Sequence, residues 1–125
     1  MPTKSIIRSI DIQQPEPARQ IYTLQQEAYQ LESQLIDYPN LPPLLETFEA
    51  LQQSGELFLT FQEGGQVVGA LAYVRHPDKL EIRRLVVSPL HFRRGIAGRL
   101  LRAIETAEPG IKRLTVATAL KNQPA

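Results

Sequence analysis

The stretch Leu85-Val86-Val87-Ser88-Pro89-Leu90-His91-Phe92-Arg93-Arg94-Gly95-Ile96-Ala97-Gly98-Arg99-Leu100-Leu101 constrains the fold of this chain more than any other. A β-branched apolar run is stopped by Pro89, crosses a basic turn with two glycines, and resumes as apolar residues at helical spacing. Strand, turn and helix therefore follow one another closely, and the strand's end lies beside the helix's start. The small residues Gly95, Ala97 and Gly98 allow a ligand near the backbone. A helix N-terminus also presents N–H groups that have no intrahelical acceptor. The physical expectation is an anion site, and a phosphorylated cofactor is the ligand chemistry that fits it.

Charge is arranged to match. The net charge is only +1, but residues 1–70 carry 3 Lys/Arg and 9 Asp/Glu, whereas residues 71–125 carry 11 and 4. The bland reading is mutual attraction of the two halves within one fold. The sharper one is a basic site for an anion in the second half, where six arginines fall between Arg83 and Arg102. Nucleic acid is not the expected partner, because these arginines cross a strand and a turn without interleaved aromatics. The length of 125 residues and a hydrophobic share of 42% suit one globular domain. No apolar run approaches a membrane span and no signal-peptide core is visible, so no membrane partner is expected. The absence of cysteine removes disulfide frameworks and thiol nucleophiles, and cytoplasmic location is the expectation. His76 and His91 are too few for a histidine-built metal site, and no metal is expected.

Around the central stretch, alternation predicts a first strand over Ser5–Ile12. Apolar residues at Ile21, Leu24, Ala28, Leu31 and Leu35 mark one face of a helix that starts near Pro15 and Pro17. The prolines of Asp37–Pro43 force a loop, either a connector or one wall of a substrate site. A second helix is expected over Leu44–Gln53, ended by Ser54-Gly55. Strands over Glu56–Glu63 and Gln66–Arg75 flank a Gly64-Gly65 hairpin turn, with Gly69 marking a bulge or a close approach. Leu80–Ser88 completes an antiparallel meander. After the glycine-turn helix, broken at Glu108-Pro109-Gly110, Lys112–Thr118 should lie parallel to Leu80–Ser88.

This order, β-α-α-β-β-β-α-β, resembles the GNAT family of N-acetyltransferases, an α/β (α+β) fold with a mixed sheet. The match centres on Glu81–Pro89 and Arg93–Leu101. The family pattern after the fourth strand is Arg/Gln-x-x-Gly-x-Gly/Ala. Gly95 and Ala97 hold its small positions, while Phe92 stands where Arg or Gln is usual, followed at once by Arg93 and Arg94. Family members continue past the fifth strand with an Asn-x-x-Ala helix carrying a tyrosine and two further strands. Asn122 and Ala125 match the start of that motif. The resemblance thus describes a single GNAT-like domain over residues 1–125, incomplete at its C-terminus, with an exposed fifth-strand edge suited to homodimer formation.

The resemblance implies acetyl-CoA as co-substrate and a small-molecule or peptide amine as acceptor. The backbone of Arg93, Arg94, Gly95, Ile96, Ala97 and Gly98 would take the pyrophosphate, with charge-assisted bonds from the Arg93, Arg94 and Arg99 side chains. Asn122 joins this set as the first residue of the final motif. Backbone groups of Leu85, Val86 and Val87 would pair with the pantetheine arm like an added strand, with Val86 or Val87 N–H as oxyanion donor. Glu81 is the candidate base. On plain alternation it shares a face with Arg83, Leu85 and Val87, and an ion pair with Arg83 is the structural alternative. His91 is expected to pack or meet solvent rather than catalyse. A non-catalytic acetyl-CoA-binding or interaction module is the alternative to an active N-acetyltransferase.

Overall fold

The computed structural model describes residues 5–36, 46–91 and 94–116, with backbone alone over 31–36. Its elements are β1 (Ser5–Ile10), α1 (Pro15–Ile36), α2 (Phe48–Gln52), β2 (Leu57–Glu63), β3 (Gln66–Arg75), β4 (Leu80–Val87), a 3-10 turn (Pro89–His91), α3 (Ile96–Ala107) and β5 (Leu114–Val116). They form a mixed α/β fold on one five-stranded sheet in the order β1-β2-β3-β4-β5. The first four strands pair antiparallel and β5 runs parallel to β4.

Local chemistry trims the expected boundaries. β1 stops at Ile10 rather than Ile12, because the Asp11 carboxylate accepts from Gln13 N–H at 3.0 Å and its carbonyl accepts from Gln14 N–H at 3.1 Å. That turns the chain out of the ladder and into α1. Within the described residues α2 begins at Phe48, later than the expected Leu44. The Thr47 hydroxyl accepts from Ala50 N–H at 3.0 Å and caps the helix there. Leu44 and the Asp37–Pro43 loop lie outside the described residues, as do Ala117 and Thr118 of the expected last strand.

The two faces of the sheet carry separate cores. On one, Ala18, Ile21, Leu24 and Tyr29 of α1 pack on Phe58, Val67, Ala70, Ala72 and Val86. On the other, Ile96, Leu100 and Ile104 of α3 pack on Leu59, Phe61, Val68, Leu71, Tyr73, Leu80 and Ile82. The apolar stripe of α1 thus faces the sheet where its side chains are described. Burying each of its large members removes enough apolar surface to contribute about 1.5–3 kcal/mol.

Two bulges shape the sheet. Between β2 and β3, Phe61 pairs with Gly69 but Gln62 pairs with Val67, so Val68 is the extra residue. Between β3 and β4, Ala72 pairs with Arg84 but Tyr73 pairs with Ile82, so Arg83 is the extra residue. The hairpin between β2 and β3 turns at Gly64 and Gly65, both at positive φ (60° and 82°), which suits a two-residue connection. Among the described residues no helix is long and apolar enough to cross a membrane.

Candidate cofactor-binding site

The bulge at Arg83 corrects the expected face of Glu81. Leu80 and Ile82 lie in the α3-side core, and past the bulge Leu85 and Val87 pack against that same core. The extra residue shifts the alternation by one. Glu81 therefore lies opposite Leu85 and Val87, on the α1 side with Arg84 and Val86. The sequence carries no mark of this, because every residue of the run is compatible with a regular strand.

The Glu81 carboxylate meets His76 Nε2 at 3.2 Å and Arg83 Nη1 at 3.2 Å, so the ion pair weighed from sequence is present. These two partners, His76 first, hold the Glu81 carboxyl below the usual carboxylate range. It is therefore ionised at neutral pH. Arg84, one residue beyond the bulge, is the hub of a part-buried network that sequence reading did not find. Its Nε donates to Glu56 at 2.6 Å, its Nη1 to Glu46 at 2.6 Å and to Gln25 at 3.0 Å, and its Nη2 to Glu46 at 2.8 Å. This network joins α1, the segment before α2, the start of β2 and β4.

β4 has one edge committed to β3, and past Ile82 the other has no ladder partner among the described residues. Ser88 N–H donates to Val68 at 2.8 Å, with Val87 opposite Gly69. Antiparallel alternation then turns the backbone groups of Val86 toward Ala70 on β3, and those of Leu85 and Val87 toward the β5 side. The described β5 ladder reaches only Ile82, opposite Val116. Of the three backbone positions expected to receive an extended ligand, Leu85 and Val87 face the side that has no ladder partner among the described residues. Val86 is engaged with β3 and places its side chain in the α1-side core.

The turn after β4 is held by Ser88, whose hydroxyl accepts from Leu90 N–H at 3.3 Å and whose carbonyl accepts from His91 N–H at 2.9 Å. Gly95 caps α3 from the left-handed region, with φ 75° and no side-chain cap. Arg99 N–H donates to the Gly95 carbonyl at 3.0 Å. By helix geometry the amides of Ile96, Ala97 and Gly98 are then without intrahelical acceptors, at the positive end of the helix dipole. A Cβ built on Gly95 would meet nothing within 4 Å, and one on Gly98 only Arg102 Nη1 at 3.7 Å. The residues present thus fit a phosphate approaching the backbone.

The arginines are disposed unequally. Arg94 forks onto Glu63 at the end of β2, at 3.0 and 2.5 Å. The Arg99 guanidinium lies over the Phe61 ring, 5.0 Å from its centroid. Phe92, Arg93 and Asn122 lie outside the described residues. Glu63 also lies 3.7 Å from His91 Nε2. Sequence reading gave Glu63 no role beyond the last position of a strand.

A mixed sheet whose fourth strand ends at an open helix N-terminus defines an α/β protein of the strand–turn–helix type. Over residues 18–125 the chain matches the acetyltransferase (GNAT) family, and it belongs to that family. It is similar to the UPF0157 protein YqkA of Bacillus subtilis (strain 168), 34% identical over 108 residues, which are 86% of this chain and 32% of that protein. The chain thus spans about a third of the length of that curated relative. Among solved structures it resembles the ribosomal-protein-S18-alanine N-acetyltransferase of Escherichia coli, with TM-score 0.69 and 14% identity over 90% of this chain and 66% of that one. It also resembles the PaiA N-acetyltransferase of Thermoplasma acidophilum in complex with coenzyme A, with TM-score 0.59 and 20% identity over 83% and 71% of the two chains. At these identities the likeness is one of fold.

Proposed function

We propose that this chain binds acetyl-CoA and transfers its acetyl group to an amine. The observation that carries the reading is the open N-terminus of α3 beside the outward backbone groups of Leu85 and Val87. A helix N-terminus with amides that lack intrahelical acceptors, and a strand edge without a ladder partner among the described residues, together suit a ligand with an anionic end and an extended amide arm. The membership of the GNAT family and the coenzyme A held by a neighbour of the same fold support this choice of ligand.

When bound, acetyl-CoA supplies an acetyl group activated as a thioester. The amides of Ile96, Ala97 and Gly98 hold the pyrophosphate, and Leu85 and Val87 align the pantetheine arm. The Val87 N–H serves the carbonyl oxygen as it gains charge in the transition state. Glu81, a carboxylate held low by His76 and Arg83, would accept the proton that the acceptor ammonium must lose. The freed nitrogen would then attack the thioester carbonyl, the C–N bond forming as the C–S bond breaks and CoA leaves as its thiolate. The acceptor is a primary amine on a small molecule or a peptide.

Thermal unfolding with and without acetyl-CoA tests the binding step, and absence of any stabilisation overturns the proposal. Release of free CoA thiol against a panel of amines tests transfer. Stabilisation without thiol release from any amine favours a non-catalytic acetyl-CoA-binding module instead. Glu81→Gln is expected to abolish thiol release while leaving the stabilisation intact, and unchanged turnover removes Glu81 as the base.

A further inference from the structure

The cofactor turn already holds an anion of its own. Glu63 ends β2 and sits beside Gly64-Gly65, at the same end of the sheet as the end of β4. Its two carboxylate oxygens take both terminal nitrogens of Arg94, the residue preceding the helix cap. Ser5 Oγ donates to the same carboxylate at 3.5 Å, and His91 Nε2 lies 3.7 Å away. The His91 Nδ1 is buried with no hydrogen-bond partner among the described residues.

The two partners of the pair are not equivalent. The Glu63 side chain is 14% exposed and fixed between β1, the turn and the start of α3, whereas the Arg94 side chain is 48% exposed. The carboxylate is therefore the anchored member and the guanidinium the one free to swing. Arg94 also stands next to the amides of Ile96, Ala97 and Gly98, which have no intrahelical acceptors, so a phosphate bound there lies within an arginine side chain's reach. A phosphate and a carboxylate compete for the same bidentate fork. A charged Glu63 left behind also repels the incoming anion.

Building on the acetyl-CoA reading, we propose that Glu63 is the internal counter-anion of the cofactor turn, and that cofactor phosphate binds by displacing it from Arg94. Glu63 then sets cofactor affinity without contacting the acyl group or the acceptor. It neutralises Arg94 and lowers the affinity for phosphate in return. The Arg94 pair is what holds the Glu63 carboxyl below the usual range, so the counter-anion is charged at neutral pH.

The test is calorimetric titration of the chain with CoA for the unsubstituted protein, Glu63→Gln, Arg94→Gln and the double variant. Glutamine keeps the shape and removes the charge. Glu63→Gln is expected to tighten CoA binding about fivefold, the order of effect an exposed ion pair has. In the Arg94→Gln background the same change should give less than about twofold, because no fork remains to be released. The gain should shrink as salt rises from ~50 to ~500 mM. If the unsubstituted chain binds CoA and Glu63→Gln binds it equally or more weakly, the inference is overturned while the cofactor reading stands. An undiminished gain in the Arg94→Gln background also overturns it, since that is repulsion without displacement. No binding of CoA to the unsubstituted chain overturns the cofactor reading and this inference together.

Discussion

Gly69 on β3 lies directly beneath Ile96, the first residue of α3. A β-carbon on Gly69 would stand 2.8 Å from Ile96 Cγ2, 3.4 Å from Leu100 Cδ1 and 3.5 Å from Phe61 Cβ. The missing side chain is thus what lets the start of α3 settle on the sheet beside β4. Ile96 is β-branched and stiff, and cannot give way by turning a distal rotor. Gly69→Ala is expected to destabilise the chain by about 1–3 kcal/mol through overpacking. It should also weaken CoA binding, because the amide of Ile96 belongs to the proposed phosphate cradle. Ile96→Ala in the same chain removes Cγ2 and should recover part of the overpacking loss, as read by a urea double-mutant cycle. Additive losses in that cycle count against the contact.

Arg84 carries the structural counterpart on the opposite face. Its side chain is 15% exposed, and its partners Glu46 and Glu56 are 19% and 7% exposed. Two carboxylates and one guanidinium in that setting leave an excess negative charge, and only the bidentate fork makes it tolerable. Arg84→Met strands both carboxylates and is expected to destabilise by about 3–5 kcal/mol. Arg84→Lys keeps the charge but cannot serve Gln25, Glu46 and Glu56 at once, and should recover only part of the loss. Urea midpoints of the two variants check this, and equal midpoints for Met and Lys would show that the fork geometry contributes nothing.

How legible these features were in the sequence follows from how local their causes are. Leu85–Leu101 reads correctly because Pro89 and Gly95 punctuate it and because Ile96, Leu100 and Ile104 repeat at helical spacing. Gly64-Gly65 and the α1 stripe as far as Ala28 read correctly for the same reason. The face of Glu81 did not, because the bulge at Arg83 is set by pairing with β3 and leaves no trace in the strand's composition. Arg84 and Glu63 escaped because their partners are distant in sequence. The Arg84–Gln25 bond spans 59 residues and the Arg94–Glu63 bond 31. Charge spacing along a chain finds neighbours within an element, whereas these pairs exist only after the sheet has assembled.

The Tyr73 hydroxyl donates to Glu108 at the C-terminus of α3 at 2.8 Å, and Arg75 forks onto the same carboxylate. Burial first, and then the bond to Glu108, push the Tyr73 phenol up to about 12. A raised folded-state value means that the stabilisation is complete below the unfolded tyrosine value of about 10 and is lost as pH rises through the folded value. Tyr73→Phe should therefore lose less stability than the unsubstituted chain between pH ~10 and ~12. Its ultraviolet titration should lack the tyrosinate component that appears near pH 12. Glu108, held low chiefly by Arg75, acts at the other end. Its contribution is present above the unfolded carboxylate value and is lost as pH falls through the depressed one, so Glu108→Gln should flatten the acid limb. A Tyr73→Phe alkaline limb that overlays that of the unsubstituted chain counts against the assignment.

Gly95 separates what the helix cap does for stability from the role proposed for it toward CoA. Its φ of 75° is one that L side chains rarely adopt, yet a Cβ there would meet nothing within 4 Å. Among the described residues strain is thus the folded-state penalty visible for Gly95→Ala, and a cost of about 1 kcal/mol is expected. Asparagine tolerates the left-handed region better, so Gly95→Asn should be the more stable of the two variants. If alanine relaxes toward negative φ, the amides of Ile96, Ala97 and Gly98 rotate with the helix start, and CoA binding falls by more than the stability loss alone implies. Thermal unfolding of both variants, alone and with CoA, distinguishes the two effects. A Gly95→Ala chain destabilised by the expected amount, yet stabilised by CoA as much as the unsubstituted chain, would place the phosphate away from these amides.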